Sequence, residues 1–348
     1  VGRLDPAHPG IDPLPPAAGH ARDEIGALIA ALNRLLTASQ QGLDQRDRAE
    51  RGLTELTLDL ERRVEQRTEA LAAAKHEIEA LNRRLAAENL RMGAELDVSR
   101  KIQRMTLPTP DELTGIPGLD VATYMESANE IGGDYYDILR DGDCAGHLRI
   151  GIGDVTGHGL ESGVVMLMTQ SAVRTLTTGA EGDLSRTLNV LNRTIFDNVR
   201  RMGSDKNLTL ALLDYHPRPD GGHLRIGGQH ESVIVVRADG RLEVIDTTEL
   251  GMPLGLLDDV DEFLGEVELS LAPDDVVVLY TDGITEAADA AHRLYGLERL
   301  CDVVVGQRAG TAEAIKRAVV DDVMRHIGGQ TIYDDLTLIV LKQKEVVS

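Results

Sequence analysis

Positive charge and aromatic side chains are both scarce in this sequence. Its 348 residues carry 36 Lys and Arg against 58 Asp and Glu, a formal charge of -22, and the aromatics are 7 Tyr and 2 Phe with no Trp. A chain this acidic repels a polyphosphate backbone at long range, which excludes a general nucleic-acid binder unless the basic residues are segregated. They are not: residues 1–100 carry 14 basic and 17 acidic side chains, leaving 22 basic and 41 acidic for residues 101–348. The acid is concentrated in the second part, where it suits solubility, a metal site or a basic partner. Cysteine is nearly absent. Cys144 and Cys301 cannot build a disulfide framework or a CxxC metal site, so a reducing cytosolic setting is expected. No apolar run approaches the roughly 20 residues needed to cross a bilayer, and no basic-then-apolar leader opens the sequence, so the chain as written is expected to be soluble.

Proline brackets one long segment. Pro6, Pro9, Pro13, Pro15 and Pro16 forbid a helix through residues 1–22, and the next proline is Pro108. Between them Ile25, Leu28, Ile29, Leu32, Leu35 and Leu36 recur at spacings of three and four, which predicts an amphipathic helix. Leu60, Val64, Leu71, Ala74, Ile78, Leu81 and Leu85 continue in four-three steps once Arg67 is counted on the seam. An exposed helix of this length is poorly stabilised alone, so the stripe predicts a helical partner, most simply a second copy. The alternative is a solvated helix packed on its own domain. Beyond Pro108, apolar runs at 147–153, 208–214, 223–227, 232–237, 241–245, 275–280 and 336–342 read as strands, and 160–178, 184–202, 294–305 and 311–326 read as helices. Blocks of strands interleaved with helix pairs predict α+β layering with mainly antiparallel sheet.

Four acidic motifs stand where strands meet turns. They are Gly132-Gly133-Asp134-Tyr135-Tyr136-Asp137, Asp154-Val155-Thr156-Gly157-His158-Gly159, Tyr280-Thr281-Asp282-Gly283 and Tyr333-Asp334-Asp335-Leu336-Thr337. Carboxylates gathered from several strand ends are what a hard divalent cation needs. Any one motif alone is weak, because Asp-Gly is an ordinary turn dipeptide.

In this order the runs GGDYYD, GDVTGHG, LYTDGITEA and YDDLTLIVL resemble the metal-dependent protein phosphatases of the protein phosphatase 2C type, in their bacterial SpoIIE-like and RsbU-like branch. The resemblance covers about residues 95–345. It implies a β-sandwich with helices on both faces and a two-metal centre at one edge, filled by Mn2+ or Mg2+. Asp134 and Asp154 then belong to the metal cluster and are the catalytic positions, with Asp154 bridging both ions. The Val155 carbonyl is the main-chain ligand, and Asp282 and Asp334 complete the set. Asp335 sits where many relatives have a supporting Asn or Asp; neighbours in an extended segment point to opposite faces, so one of Asp334 and Asp335 is expected to enter the site, and geometry alone does not choose which. Two such ions acidify a water for in-line attack on phosphorus, so no protein nucleophile is required. His158 reads as a turn residue, with proton donation to the leaving oxygen as the alternative. Gly228-Gln229-His230-Glu231 and Gly251-Met252-Pro253-Leu254-Gly255 read as structural. The arginine that binds phosphate in many eukaryotic relatives has no clear equivalent in Glu126-Ser127-Ala128-Asn129-Glu130. The acidic stretch from Asp258 to Asp275 contains no basic residue; it reads as a solvated loop and edge strand, the alternative being a docking surface for a basic substrate.

The front of the chain carries a second, shorter resemblance. Asp23-Glu24-Ile25-Gly26, with Asn33 following, is similar to the start of the second helix of a HAMP signalling module. The implied organisation is a partial HAMP-like module at 1–40, a coiled-coil linker at 41–105 and a phosphatase domain at 106–348. It implies a homodimer through the coiled coil, a cytoplasmic chain anchored to membrane only through segments upstream, and a phosphorylated STAS-domain (anti-anti-sigma) protein as substrate. Lys75-His76-Glu77-Ile78 faintly resembles a histidine-kinase phosphoacceptor, but no nucleotide-binding region follows it. GGDYYD lacks the acidic residue that diguanylate cyclases place directly after GGD.

Overall fold

The structure, a computed structural model, describes residues 13–15, 19, 23–128, 132–140, 146–177 and 183–345. Most of the proline-rich connector, Asn129, Glu130 and Cys144 lie outside these residues. The chain folds as two units, Val1–Leu90 and Arg91–Ser348.

The first unit is carried by helix α1 (Glu24–Thr106). Its start is capped by Asp23, whose Oδ1 accepts from the amides of Ile25 at 3.1 Å and Gly26 at 3.2 Å. The two periodic segments are thus parts of one uninterrupted helix, as the absence of proline allows. Leu60, Val64, Leu71, Ile78, Leu81 and Leu85 are all exposed. No helix among the described residues is long and apolar enough to cross a membrane.

The second unit takes in the end of α1 from Arg91, then the single-turn α2 (Pro110–Leu113), β1 (Leu119–Glu126), β2 (Tyr135–Arg140) and β3 (Leu148–Val155). Helices α3 (Leu160–Thr177) and α4 (Leu184–Met202) follow, then β4 (Leu208–Arg218), β5 (Gly221–Gly227), β6 (Val233–Val236), β7 (Leu242–Ile245), β8 (Glu266–Leu271) and β9 (Val276–Tyr280). The chain closes with α5 (Asp282–Thr285), α6 (Leu297–Gln307), α7 (Ala312–Ile327) and β10 (Leu336–Gln343). One sheet has the order β1-β10-β9-β6-β7 and the other β2-β3-β4-β5-β8, every pairing antiparallel.

The two sheets stack, and each carries helices on its outer face. Along β4, Leu208, Leu210 and Leu212 face α3 and α4, while Ala211, Leu213 and Tyr215 enter the layer between the sheets. Along β10, Leu338 and Val340 meet Leu300, Ile315 and Val319 of α6 and α7, while Ile339 and Leu341 point inward. A strand buried on both faces reads as a continuous apolar run, which is why these strands are visible in sequence. The expected sandwich with helices on both faces is the fold observed. Two of its strands are absent from the sequence reading. β2 was hidden by Asp137, a buried carboxylate paired with Arg174 at 2.7 Å, and β1 is only partly buried.

The acidic stretch resolves into loop and the edge strand β8. The four carboxylates of its second half meet basic residues on other segments: Glu266 pairs with Arg225, Glu268 lies beside His223, Asp274 pairs with Lys342 and Asp275 with Arg237, at 2.8–3.3 Å. Sheet pairing supplies the basic residues that the stretch itself lacks.

Beneath α4, Arg149 of β3 and Asp214 of β4 stand opposite each other in register and form a two-pronged ion pair at 2.8 and 2.9 Å. Both are buried. Asp214→Ala leaves the guanidinium as an uncompensated buried charge. A loss of about 3–5 kcal/mol in unfolding free energy is expected, read by urea denaturation.

Candidate metal centre

One edge of the sandwich collects the four acidic motifs. Pairing of β2 with β3 sets Tyr135 opposite Gly153, which brings Asp134, just before β2, alongside Asp154 near the end of β3. Pairing of β9 with β10 sets Tyr280 opposite Leu338, which brings Asp282, at the start of α5, beside the Asp334-Asp335 turn. The first pair belongs to one sheet and the second to the other.

The glycines in these motifs exist for close approach. A Cβ on Gly132 falls 2.1 Å from Asp335 Oδ2, one on Gly133 falls 2.8 Å from the Val155 carbonyl oxygen and 3.1 Å from Asp154 Oδ1, and one on Gly283 falls 2.0 Å from the Asp335 carbonyl oxygen. Only glycine leaves room for carboxylates and carbonyls to crowd here.

Asp134 is buried, and its Oδ2 accepts from the hydroxyls of Thr281, at 2.9 Å, and Thr337. Burial, and then the charges of Asp154 and Asp335, push it well above the usual carboxylate range, with the two threonines acting against them. Asp154 is pushed up to about 8, first by burial and then by Asp282, Asp334 and Asp335, and it shares a hydrogen bond with Asp134. Such a bond between two carboxyls requires a proton on one of them. Burial, then Asp334 and Glu286, raise Asp282. None of the leading influences on these three groups is a cation.

The adjacent pair Asp334-Asp335 is divided in role. Asp335 is buried and spends its oxygens on backbone, accepting from Ala128 N at 2.9 Å, Asp134 N at 3.4 Å and Gly133 N. Asp334 is exposed and accepts from the amide of Asp335 at 2.9 Å, and its charge acts on both Asp154 and Asp282. Thus Asp335 organises the loop before β2, while Asp334 stays open on the side of the other carboxylates. His158 is exposed in the turn before α3. Lys206 reaches the same turn, its Nζ donating to the Thr156 carbonyl oxygen at 2.7 Å.

Among the described residues, no three His, Cys, Asp or Glu side chains converge on one point as a closed cage. The carboxylates lie within electrostatic range of one another without forming a coordination shell. Their chemistry nevertheless suits hard divalent cations: the donors are all oxygens, their charges are mutually uncompensated, and the Val155 carbonyl lies against Gly133 next to Asp154. Sequence reasoning missed Thr281 and Thr337, which hold Asp134, and Glu231, whose carboxyl is raised by burial and then by Asp282 and Glu286. Both threonines belong to the acidic motifs, and a hydroxyl beside a buried carboxylate is the signal that could have found them.

The sequence profile of the family described as Stage II sporulation protein E (SpoIIE) matches residues 145–344. Protein IcfG of Synechocystis sp. is 22% identical over 272 residues, which span 71% of this chain but 41% of that protein. Among solved structures, the SiaA-PP2C domain of Pseudomonas aeruginosa superposes with a TM-score of 0.63 at 20% identity, covering 74% of this chain and 99% of that domain. The RsbU and RsbW domains of a Mycobacterium tuberculosis protein give 0.54 at 22% identity, covering 70% and 63%. At these identities the superpositions establish a shared fold.

Two outcomes follow from the crowding of carboxylates. An aspartate raised from 3.8 to about 8 binds its proton more tightly folded than unfolded, so metal-free stability falls as pH rises through that window. Asp154→Asn is expected to raise the metal-free unfolding free energy at pH 8 by roughly 1–3 kcal/mol, read by urea denaturation. Asp335→Ala orphans the amides it receives and is expected to cost roughly 1–3 kcal/mol in the same measurement.

Proposed function

The chain belongs to the SpoIIE family, and from that premise we propose that it is a metal-dependent phosphoserine/phosphothreonine protein phosphatase. The observation that carries this reading is the gathering of Asp134, Asp154, Asp282 and Asp334 at one sandwich edge, with no cation among the leading influences on the first three. Such a group is costly in isolation and becomes favourable when divalent cations neutralise it. On this reading Asp134, Asp154, Asp282 and Asp334, with the Val155 carbonyl, hold two ions, Mn2+ or Mg2+. When bound, two such ions supply an acidified water and a clamp on phosphate oxygens. Asp154, influenced by the greatest number of other carboxylates, would be the central ligand. Thr281 and Thr337 orient Asp134, and Asp335 holds the loop from which Asp134 projects. Lys206, at the Thr156 turn, contributes positive charge toward the substrate phosphate, in the role for which the sequence offered no arginine.

The substrate fitting this family is a phosphorylated STAS-domain protein of the anti-anti-sigma type. The resemblance to a protein that carries RsbU and RsbW domains supports a place in that kind of signalling. The exposed leucine stripe of α1 supports a homodimer through a coiled coil, because 57–72% exposure at Leu60, Val64, Leu71, Ile78 and Leu85 is uneconomical for a solitary helix. The HAMP-like reading of residues 1–40 makes this helix a regulatory input that biases the phosphatase between two states.

The decisive experiment is release of phosphate from a phosphorylated STAS protein with Mn2+, for the intact chain and for Asp154→Asn. A rate loss of at least roughly 100-fold is expected, and activity surviving the substitution sinks the two-metal reading. Lys206→Ala is expected to raise KM several-fold with less effect on kcat. In sedimentation equilibrium the chain is expected to be a dimer that Leu71→Glu with Ile78→Glu dissociates.

A further inference from the structure

His230 lies in the segment that crosses from β5 in one sheet to β6 in the other, and its ring touches both. Nδ1 is 2.9 Å from the Thr209 hydroxyl, and Nε2 is 3.1 Å from the Tyr280 carbonyl oxygen. Each contact is one step from a site carboxylate. Thr209 is the cross-strand partner of Asp154 in the β3–β4 register, and its hydroxyl lies 3.4 Å from the Asp154 carbonyl oxygen. Tyr280 ends β9, two residues before Asp282.

The hydrogen-bond chemistry fixes the state of the ring. A carbonyl oxygen can only accept, so Nε2 carries the hydrogen. In a neutral imidazole Nδ1 is then bare and accepts from Thr209. Burial supports neutrality, pushing the ring down to about 4 against the pull of the Tyr280 carbonyl. The backbone is fastened as well. His230 N donates to Thr247 Oγ1 at 3.0 Å, and the Thr247 hydroxyl donates back to the His230 carbonyl oxygen. Just upstream, Gly228 has φ +87 and would carry a Cβ 2.2 Å from the Leu210 carbonyl oxygen, so the crossing segment is pressed against β4 where only glycine fits.

We propose that His230 is a positioning residue, a neutral Nε2-protonated strap that fixes the gap between the two sheets where Asp154 and Asp282 face each other. The need for a strap is electrostatic. Asp154 and Asp282 are held by different sheets, and the charge of Asp282 acts on Asp154 across the sandwich edge. Repulsion between them tends to spread the edge, and a ring bonded to the strand neighbour of one and the chain just before the other opposes that spreading. The spacing it maintains is the spacing available to a pair of cations. This role rests on the two-metal reading above, and it adds a residue that contacts neither the ions nor the substrate.

The test is calorimetric titration with Mn2+ of the intact chain, of His230→Ala, and of the pair Thr209→Val and Thr209→Ser, with folding checked by circular dichroism. Losing the strap is expected to weaken Mn2+ binding by roughly ten-fold or more, as loss of an outer-shell partner does. Thr209→Val should reproduce the loss, and Thr209→Ser, which keeps the hydroxyl, should restore wild-type affinity. Folded variants with unchanged Mn2+ affinity overturn the role while leaving the phosphatase reading intact. Absence of Mn2+ uptake by the unaltered chain overturns both. Should His230→Ala fail to fold, the threonine pair carries the titration. Nitrogen NMR of the histidine rings gives a readout without metal: an Nε2-protonated His230 at neutral pH is expected, and an Nδ1-protonated ring overturns the strap.

Discussion

Repulsion among carboxylates crowded onto one edge of an apolar sandwich is the constraint around which that edge is built. Asp134, Asp154, Asp282 and the adjacent pair Asp334 and Asp335 come from four separate segments, and burial and mutual charge raise the first three. A flexible chain would relieve this by moving apart. Here the turns are continuous with strands whose other residues are locked between helices and the opposing sheet, so the carboxylates stay together. What relief exists is local and neutral: threonine hydroxyls on Asp134 and backbone amides on Asp335. The mutual repulsion of these carboxylates and their suitability for hard cations are then one property.

Away from this edge part of the acidity of the chain is paired in space. The uninterrupted acid from Asp258 to Asp275 is interrupted in three dimensions by Arg225, Arg237, His223 and Lys342. Docking of a basic partner on this stretch would have to compete with those pairs, which favours its structural reading. The contrast is informative: the same residue type is matched with cations along β8 and left unmatched at the site edge.

Much of the fold was legible because its central strands are buried on both faces. A run such as Leu208 to Leu213 has no polar face to confuse with a helix, and α4 announces itself with Asp183 at its cap and Gly203, at φ +67, beyond its end. The strands that escaped were those with mixed composition. Asp137 is charged in sequence and buried in space, and only Arg174, on α3, reconciles the two. For the candidate site, the four acidic motifs stood out by their position before or after apolar runs. Thr281, Thr337 and His230 did not, because a hydroxyl or imidazole acquires its role from what lies opposite it.

The sequence by itself determined the apolar alternation that makes two stacked sheets, the glycines that permit tight turns, the long proline-free helix and the family to which the chain belongs. These are local properties, set by period, by the steric demands of single residues and by motif order. Tertiary structure decided which carboxylates face one another, that Asp335 serves the backbone while Asp334 remains open, and that His230 spans the gap between the sheets. Those outcomes depend on register and on the packing of segments far apart in the chain, and electrostatic energy depends on distance through space rather than separation in sequence.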